Sequence, residues 1–286
     1  MSVKIITDTG CDLSKEMMKE LDITCLPFGV HIEGNDYLDG ETITPTTLYN
    51  EMRAEKVAKT SQVSPAIFEE TFTDIAKQEQ SAIYLSFSAD LSGTFQTAEM
   101  MKENVISQHP NLDVTVVNTK CASLGQGYIV KRAAEMAKAG KSKDEILQVV
   151  KALGEQMEHI FTVDSLEYLY RGGRISKTSA FVGGLLNIKP ILHLEDGKLL
   201  PLEKIRGRKK LFRRLLELAE ERAKNLDKQT VCITHAADEE AAQQVKEMFT
   251  EKFGTKDFII NEVGSAIGAH VGPGTVAVFF MNDAEE

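Results

Sequence analysis

The sequence predicts an α/β protein of two domains. The first is built on a mostly parallel sheet flanked by helices. The second is mixed α/β with an antiparallel hairpin. Three observations carry this prediction. Short apolar, β-branched runs alternate with helix-length patterned segments through the first half of the chain, which is the rhythm of βαβ units. The pattern changes near residue 160, where glycine pairs appear and Asp196-Gly197 sits between two apolar runs. That dipeptide supplies the positive φ angles a tight hairpin turn requires. Finally, 286 residues suffice for two domains of ordinary size. The boundary is placed near residue 158, giving domains 1–158 and 159–286.

The elements follow in order. Val3 to Thr7 is a first strand and Asp8-Thr-Gly-Cys-Asp12 a turn. Ser14 caps a short helix through Leu21. Thr24 to His31 suits a second strand, with Gly34-Asn35-Asp36 as a turn after it. Thr44-Pro45 and Ser64-Pro65 each place an N-cap before a proline at the first helical position. They open helices to about Ala54 and Gln78. Ala82 to Phe87 is a buried strand, and Thr94 to about Val105 a helix. Val114 to Val117 is a strand, Gly125 to Ala139 a helix, and Ser142 caps a helix over Lys143 to Met157. Ile160 to Val163 is a strand and Ser165 to Leu169 a short helix. Ile191 to Pro201 reads as the hairpin, with Leu199 to Ile205 as its second strand. Lys209 to Lys224 is a helix, Thr230 to Thr234 a strand, Glu239 to Phe253 a helix, and Phe258 to Glu262 a strand. Thr275 to Phe280 closes the chain.

The totals exclude several classes. The formal charge of −10 argues against nucleic acid as main partner. No apolar run approaches the roughly 20 residues of a membrane span. The N-terminus lacks the long apolar region of a signal peptide. Cys11, Cys25, Cys121 and Cys232 are scattered, with no Cys-x-x-Cys pair, and are expected to be reduced thiols of a cytoplasmic protein. The six histidines are dispersed and the carboxylates unclustered, so no metal is expected. No Walker loop or Gly-x-Gly-x-x-Gly is present, so no nucleotide cofactor is expected.

Two hydroxyl-rich segments stand out. Ser88-Ala-Asp-Leu-Ser92-Gly93 joins a strand to a helix, and free amides at a helix start favour an anion. Ser92 can equally be a plain N-cap. Thr60-Ser61-Gln62 reads as a second hydroxyl loop before the helix opened by Pro65. Two such loops at the mouth of one parallel sheet can converge on one anion. Beyond Lys59 neither carries a cation, which points to a carboxylate held by neutral donors. Gly268-Ala-His270-Val-Gly-Pro-Gly274 reads as a glycine-rich loop around a histidine. Tyr170-Arg171-Gly-Gly-Arg174 is a compact loop with two guanidinium groups. Lys204 to Arg214 holds seven cations and no acid, either a solvated face or a docking surface for an acidic partner. Asp8-Thr9-Gly10 matches the tripeptide of aspartic proteases, but one copy in a βα context lacks the paired carboxyl groups that chemistry needs. A hydrolase or transferase using Asp8, Cys11 or His270 remains the alternative reading.

Six stretches together resemble the DegV family of bacterial fatty-acid-binding proteins. They are Asp8 to Leu13, Thr60-Ser-Gln, Leu91-Ser-Gly-Thr-Phe-Gln, Leu169 to Ser176, the Gly-Leu-Leu-Asn-Ile-Lys-Pro run at 184–190, and His270-Val-Gly-Pro-Gly-Thr. One departure is Val63, where the family often has proline. The resemblance implies a long-chain fatty acid held between two α/β domains. Thr60, Ser61, Ser92 and Gly93 would surround its carboxylate, with His270 in the same network and Arg171 nearby. It also implies a carrier rather than a catalyst, presenting the acid to a separate fatty acid kinase that forms an acyl-phosphate. A long tail would supply on the order of 10 kcal/mol of burial at roughly 0.8 kcal/mol per methylene, before ordering costs. Phe181, Val182, Leu185, Leu186 and Ile188 are candidate tail contacts.

Overall fold

The computed structural model describes residues 3–176 and 188–282. β1 (Lys4–Asp8) turns through a 3-10 segment (Thr9–Cys11) into α1 (Lys15–Glu20), which Ser14 caps by accepting from the Met17 amide. β2 (Thr24–Leu26), β3 (Gly29–Ile32) and β4 (Asn35–Leu38) follow. α2 (Pro45–Arg53) and α3 (Pro65–Lys77) flank β5 (Ala58–Ser61), and Thr44 and Ser64 cap them as the sequence predicts. Then come β6 (Ser81–Ser86), α4 (Thr94–Gln108), β7 (Asp113–Asn118) and α5 (Ser123–Lys138). α6 (Lys143–Gln156) starts with a reciprocal capping box between Ser142 and Glu145. It leads directly into β8 (Met157–Thr162). α7 (Glu167–Arg171), β9 (Ile188–Glu195), β10 (Lys198–Arg206), α8 (Arg208–Arg222) and β11 (Thr230–His235) come next. α9 (Glu239–Phe253), β12 (Asp257–Glu262), α10 (Ser265–Val271) and β13 (Val276–Met281) complete the described chain.

These strands form three sheets. The first is parallel, in the order β2-β1-β6-β7. The second has six strands in the order β10-β9-β8-β13-β11-β12, antiparallel except for the β11–β12 pair. The third is a small antiparallel sheet, β4-β3-β5. α5 lies between the two larger sheets and packs on both β1 and β11. Its inner face is made of small and aliphatic residues, among them Ala133, Ala134 and Val130, which lets the sheets approach it closely. α10 packs against α2, α7 and β5. The hairpin turn forms where predicted, with Asp196 at φ 48° and Gly197 at φ 82°.

The structure corrects four local expectations. Residues 24–31 are not one strand. Pro27 has no amide to donate, so the chain leaves the parallel sheet after β2 and enters the small sheet as β3. The turn after β3 is Glu33-Gly34, both at positive φ, and Asn35-Asp36 already belongs to β4. Thr60-Ser61 is not a loop but the end of β5, paired to β3 through Val30↔Thr60 and Gly29↔Ser61. His270 lies in a helix, not a loop: Gly272 stops the helix at positive φ, while Gly268 lies inside it and lets it pack closely on Tyr49 and Leu48 of α2. Phe181, Val182, Leu185 and Leu186 lie outside the described residues.

Candidate functional site

A cavity of about 860 Å³, counting its mouth, lies between the parallel and mixed sheets. It is lined from both sides of residue 158. Phe28 and Phe87 close one wall, Val263, Ala266 and Ile267 another, and Leu194 and Leu199 come from the β9–β10 hairpin. Its floor is one face of the mixed sheet. Alternate residues of a strand share a face, and here Ala277 and Phe279 run in line along β13 beside Phe161 and His159 of β8, with Thr275 just before the strand also in the lining.

One end of this apolar space is polar. Thr60 Oγ1 and His270 Nε2 are 2.7 Å apart, joining β5 to α10 across 210 residues of chain. Ser92 and Gln62 line the same end. Ser92 Oγ lies 2.8 Å from Thr94 Oγ1 and accepts from the Thr94 amide at 3.3 Å. Ser92 is therefore not the N-cap of α4; that position is Gly93, and no side chain caps it. Gln62 donates to Thr97 on α4, which ties the β5 segment to the Ser92 turn. The two hydroxyl segments border one cavity and are joined by this amide bridge, and they come from separate sheets. A Cβ on Gly93 would collide with Gln62 Oε1, so glycine permits the close approach.

Electrostatics at this end are set by burial. Desolvation, helped by the Arg174 charge, holds His270 down to about 4, so it is neutral near pH 7. Its Nδ1 is buried with no partner and faces Gly172, where any Cβ would strike the ring. With the proton on Nε2, His270 donates to Thr60 and leaves the Thr60 hydroxyl hydrogen free for an anion. Arg174 Nε donates to the Leu91 carbonyl at 3.0 Å and Nη1 to the Gly172 carbonyl at 2.6 Å. The Arg174 guanidinium thus lines the cavity while braced by backbone.

The other expected residues are placed differently. Ser61 also borders the cavity, but its hydroxyl is bonded to His31 Nε2 at 3.0 Å, on the strand face opposite Thr60. Arg171 is exposed, 3.4 Å from Glu167 Oε1. It borders a second cleft of about 660 Å³ with Lys56, Lys59 and Tyr168, which shares Thr60, Arg174 and His270 with the first cavity. Ile188 opens β9 and is not among the described lining residues.

Asp8 and Cys11 line neither space. Asp8 is fully buried and accepts from the Gly10 and Phe87 amides, the Tyr84 hydroxyl and the Gln126 side chain. Its carboxyl is raised to about 6 by burial, against those hydrogen bonds. Cys11 is buried, with Cys25 beside it. Asp12 accepts from Ser123 Oγ at 2.5 Å and the Gly264 amide at 2.9 Å, and burial raises it to about 7. Asp39 accepts from the Ser265 amide at 2.9 Å. These carboxyl groups pin the start of the chain to the segment before α10. Among the described residues no group of His, Cys, Asp or Glu is arranged to hold a metal, and no helix is long and apolar enough to cross a membrane.

Parallel and mixed sheets enclosing an apolar cavity with one polar, hydroxyl-bearing end define a class of α/β protein with an interior space. The chain belongs to the DegV family, whose model, described as "Uncharacterised protein, DegV family", matches residues 2–283. A DegV domain-containing protein of Clostridium perfringens is 42% identical over 285 residues, 99% of this chain and 98% of that one. A fatty-acid-binding DegV family protein from Thermus thermophilus superposes with a TM-score of 0.90 at 32% identity, covering 99% of this chain and 100% of that one. DegV of Bacillus subtilis, described as a fatty acid binding protein, gives 0.87 at 29% over 99% and 100%. A stearic-acid-binding protein from Eubacterium ventriosum gives 0.90 at 26% over 98% of each chain.

Gln62 and Arg174 stood inside segments noted from sequence, but neither was put forward as a ligand contact, and the β13 face was not singled out at all. β13 is buried along its whole length, so no polar–apolar alternation marks which face meets a ligand.

Proposed function

We propose that this protein binds one long-chain fatty acid, with the tail in the apolar cavity between the units divided near residue 158. Its carboxylate lies at Thr60, Ser92 and His270. The observation that carries the reading is the Thr60–His270 pair at the polar end of an otherwise apolar enclosure. The fatty-acid-binding relatives in Thermus and Bacillus support it. Tail burial supplies affinity, and the hydroxyls of Thr60 and Ser92 fix the direction of the acid, with the Arg174 charge close by and braced by backbone carbonyls.

The protein acts as a carrier that presents this carboxylate to a separate, ATP-dependent fatty acid kinase, which forms the acyl-phosphate. This second half rests on the family resemblance. The cleft beside Thr60 is bordered by Lys59 and by Lys56 and Arg171, the last two paired with Glu51 and Glu167, so cations stand where a phosphoryl group would arrive. Organic extraction of purified protein followed by mass spectrometry tests the first half. One fatty acid per chain is expected, and folded protein that repeatedly yields none refutes it. Incubating the loaded protein with ATP, with and without the kinase, tests the second. Acyl-phosphate made without the kinase, or none made with it, refutes the carrier role.

A further inference from the structure

Along β13 and β8 the last described lining residues of the cavity are two aromatic rings, in one cross-strand row with Leu194 and Leu199 of the hairpin. On β13 the lining stops at Phe279, and on β8 it stops at His159, its register partner. The rings meet edge to face, with centroids 5.3 Å apart at 83°. From Val276, which opens β13, to Phe279 is three residues of strand, roughly 10 Å at about 3.3 Å each.

This end wall is held still. His159 Nδ1 donates to the Met157 carbonyl at 3.1 Å, and Nε2 accepts from the Ala122 amide at 3.2 Å. Both nitrogens are thereby used, and only carbon edges and ring face remain for the cavity. Burial holds the ring neutral. The start of α5 closes on it as well: a Cβ at Gly125 would fall against the imidazole. Phe279 is 3% exposed and His159 2%, so both rings belong to the interior and not to the surface. A buried histidine in an apolar space, with both nitrogens satisfied by backbone, serves as a rigid plate rather than a titrating group.

We infer that the His159–Phe279 pair is a ruler that sets the longest acyl chain the cavity accepts, with Phe279 the specificity-determining residue. The inference rests on the fatty-acid reading of the cavity. Each methylene that finds room is worth about fourfold in affinity. Affinity of the natural protein should therefore climb with chain length and then break sharply at the carbon that meets the rings. Phe279→Ala opens the wall, and Phe279→Leu opens it less with smaller risk to the core. Ala277→Leu, midway along the floor, acts in the opposite direction.

The test is a dissociation-constant series for saturated fatty acids of increasing length on delipidated protein, with thermal unfolding as a check on fold. The break is expected to move two or more carbons longer in Phe279→Ala, and less far in Phe279→Leu. It should move shorter in Ala277→Leu. For the acid two carbons beyond the natural break, Phe279→Ala should bind at least about tenfold tighter than the natural protein, from two added methylenes. A break at the same carbon in folded Phe279→Leu or Phe279→Ala overturns the ruler while leaving fatty-acid binding intact. Failure of the natural protein to bind any acid overturns the underlying reading instead, and the ruler with it.

Discussion

Thr60→Val removes the hydroxyl at the centre of the polar end while keeping a β-branched side chain on β5. Thr60 is bonded to His270 Nε2 and stands at the boundary of the apolar cavity and the cationic cleft. If its hydroxyl donates to a bound carboxylate, its loss costs about 1.5–3 kcal/mol, the range for hydrogen bonds to charged groups. That corresponds to roughly 10- to 100-fold weaker binding. The assay is calorimetric titration of delipidated protein with a fatty acid and, separately, with its methyl ester. The ester has the same tail and no anion. The variant should lose affinity for the acid and hold it for the ester, with an apo melting temperature close to that of the natural protein. Equal losses for both ligands would mean that Thr60 shapes the cavity and does not hold the carboxylate. Unchanged affinity for the acid would refute the placement of the head group.

Ser92→Ala should give the same acid-selective loss, but smaller, since Ser92 also bonds Thr94; a loss equal for acid and ester in the same titration would contradict it. The pH dependence of stability should be shallow in acid, because opposing groups titrate together. His159 and His270 are held down to about 4 from 6.5, so their part of the stability is full above pH 6.5 and lost as pH falls toward 4. Asp8 and Asp12 are held up to about 6 and 7 from 3.8, so theirs is present at low pH and lost as pH rises through those values. Asp12→Asn removes one of the second kind, and its stability deficit in urea unfolding should shrink between pH 4.5 and 7, by up to about 1.4 kcal/mol per unit; a constant deficit would contradict the assignment. Of the cationic run, Arg208 pairs with Asp238 and Arg214 with Glu203, while Arg206, Lys209 and Lys210 are exposed. Reversing these last three to glutamate should spare fatty-acid binding and slow transfer to the kinase, most at low salt; equal kinase turnover at low and high salt would leave them a solvated face.

Much of the fold was legible because its signals are local. Ser14, Thr44, Ser64 and Ser142 cap the helices that the sequence assigns to them, and Asp196-Gly197 makes the hairpin turn. These depend on a few neighbouring side chains and survive any tertiary context. Pro27 and the Glu33-Gly34 turn were local signals passed over, but two other misreadings depend on partners far away in the chain. Thr60-Ser61 is polar enough for a loop, and only pairing with β3 makes it a strand. The α10 segment is glycine-rich enough for a loop, and only packing on α2 and α7 holds it helical. For the site, the hydroxyl segments and His270 were legible as residue types. Their meeting was not, since the Thr60–His270 contact spans 210 residues and the Gln62–Thr97 bridge spans 35. Nor does the motif around Arg171 distinguish it from Arg174. Which guanidinium turns inward is decided by the Leu91 carbonyl, on another element entirely.

The central claim concerns orientation within one cavity, and a crystal structure of the protein loaded with a single fatty acid tests it most directly. The account predicts a carboxylate oxygen within hydrogen-bond distance of Thr60 Oγ1 and the terminal methyl against Phe279 and His159, with the tail running along Thr275 and Ala277. An acid bound with its carboxylate at the His159 end, or seated outside this cavity, would contradict it.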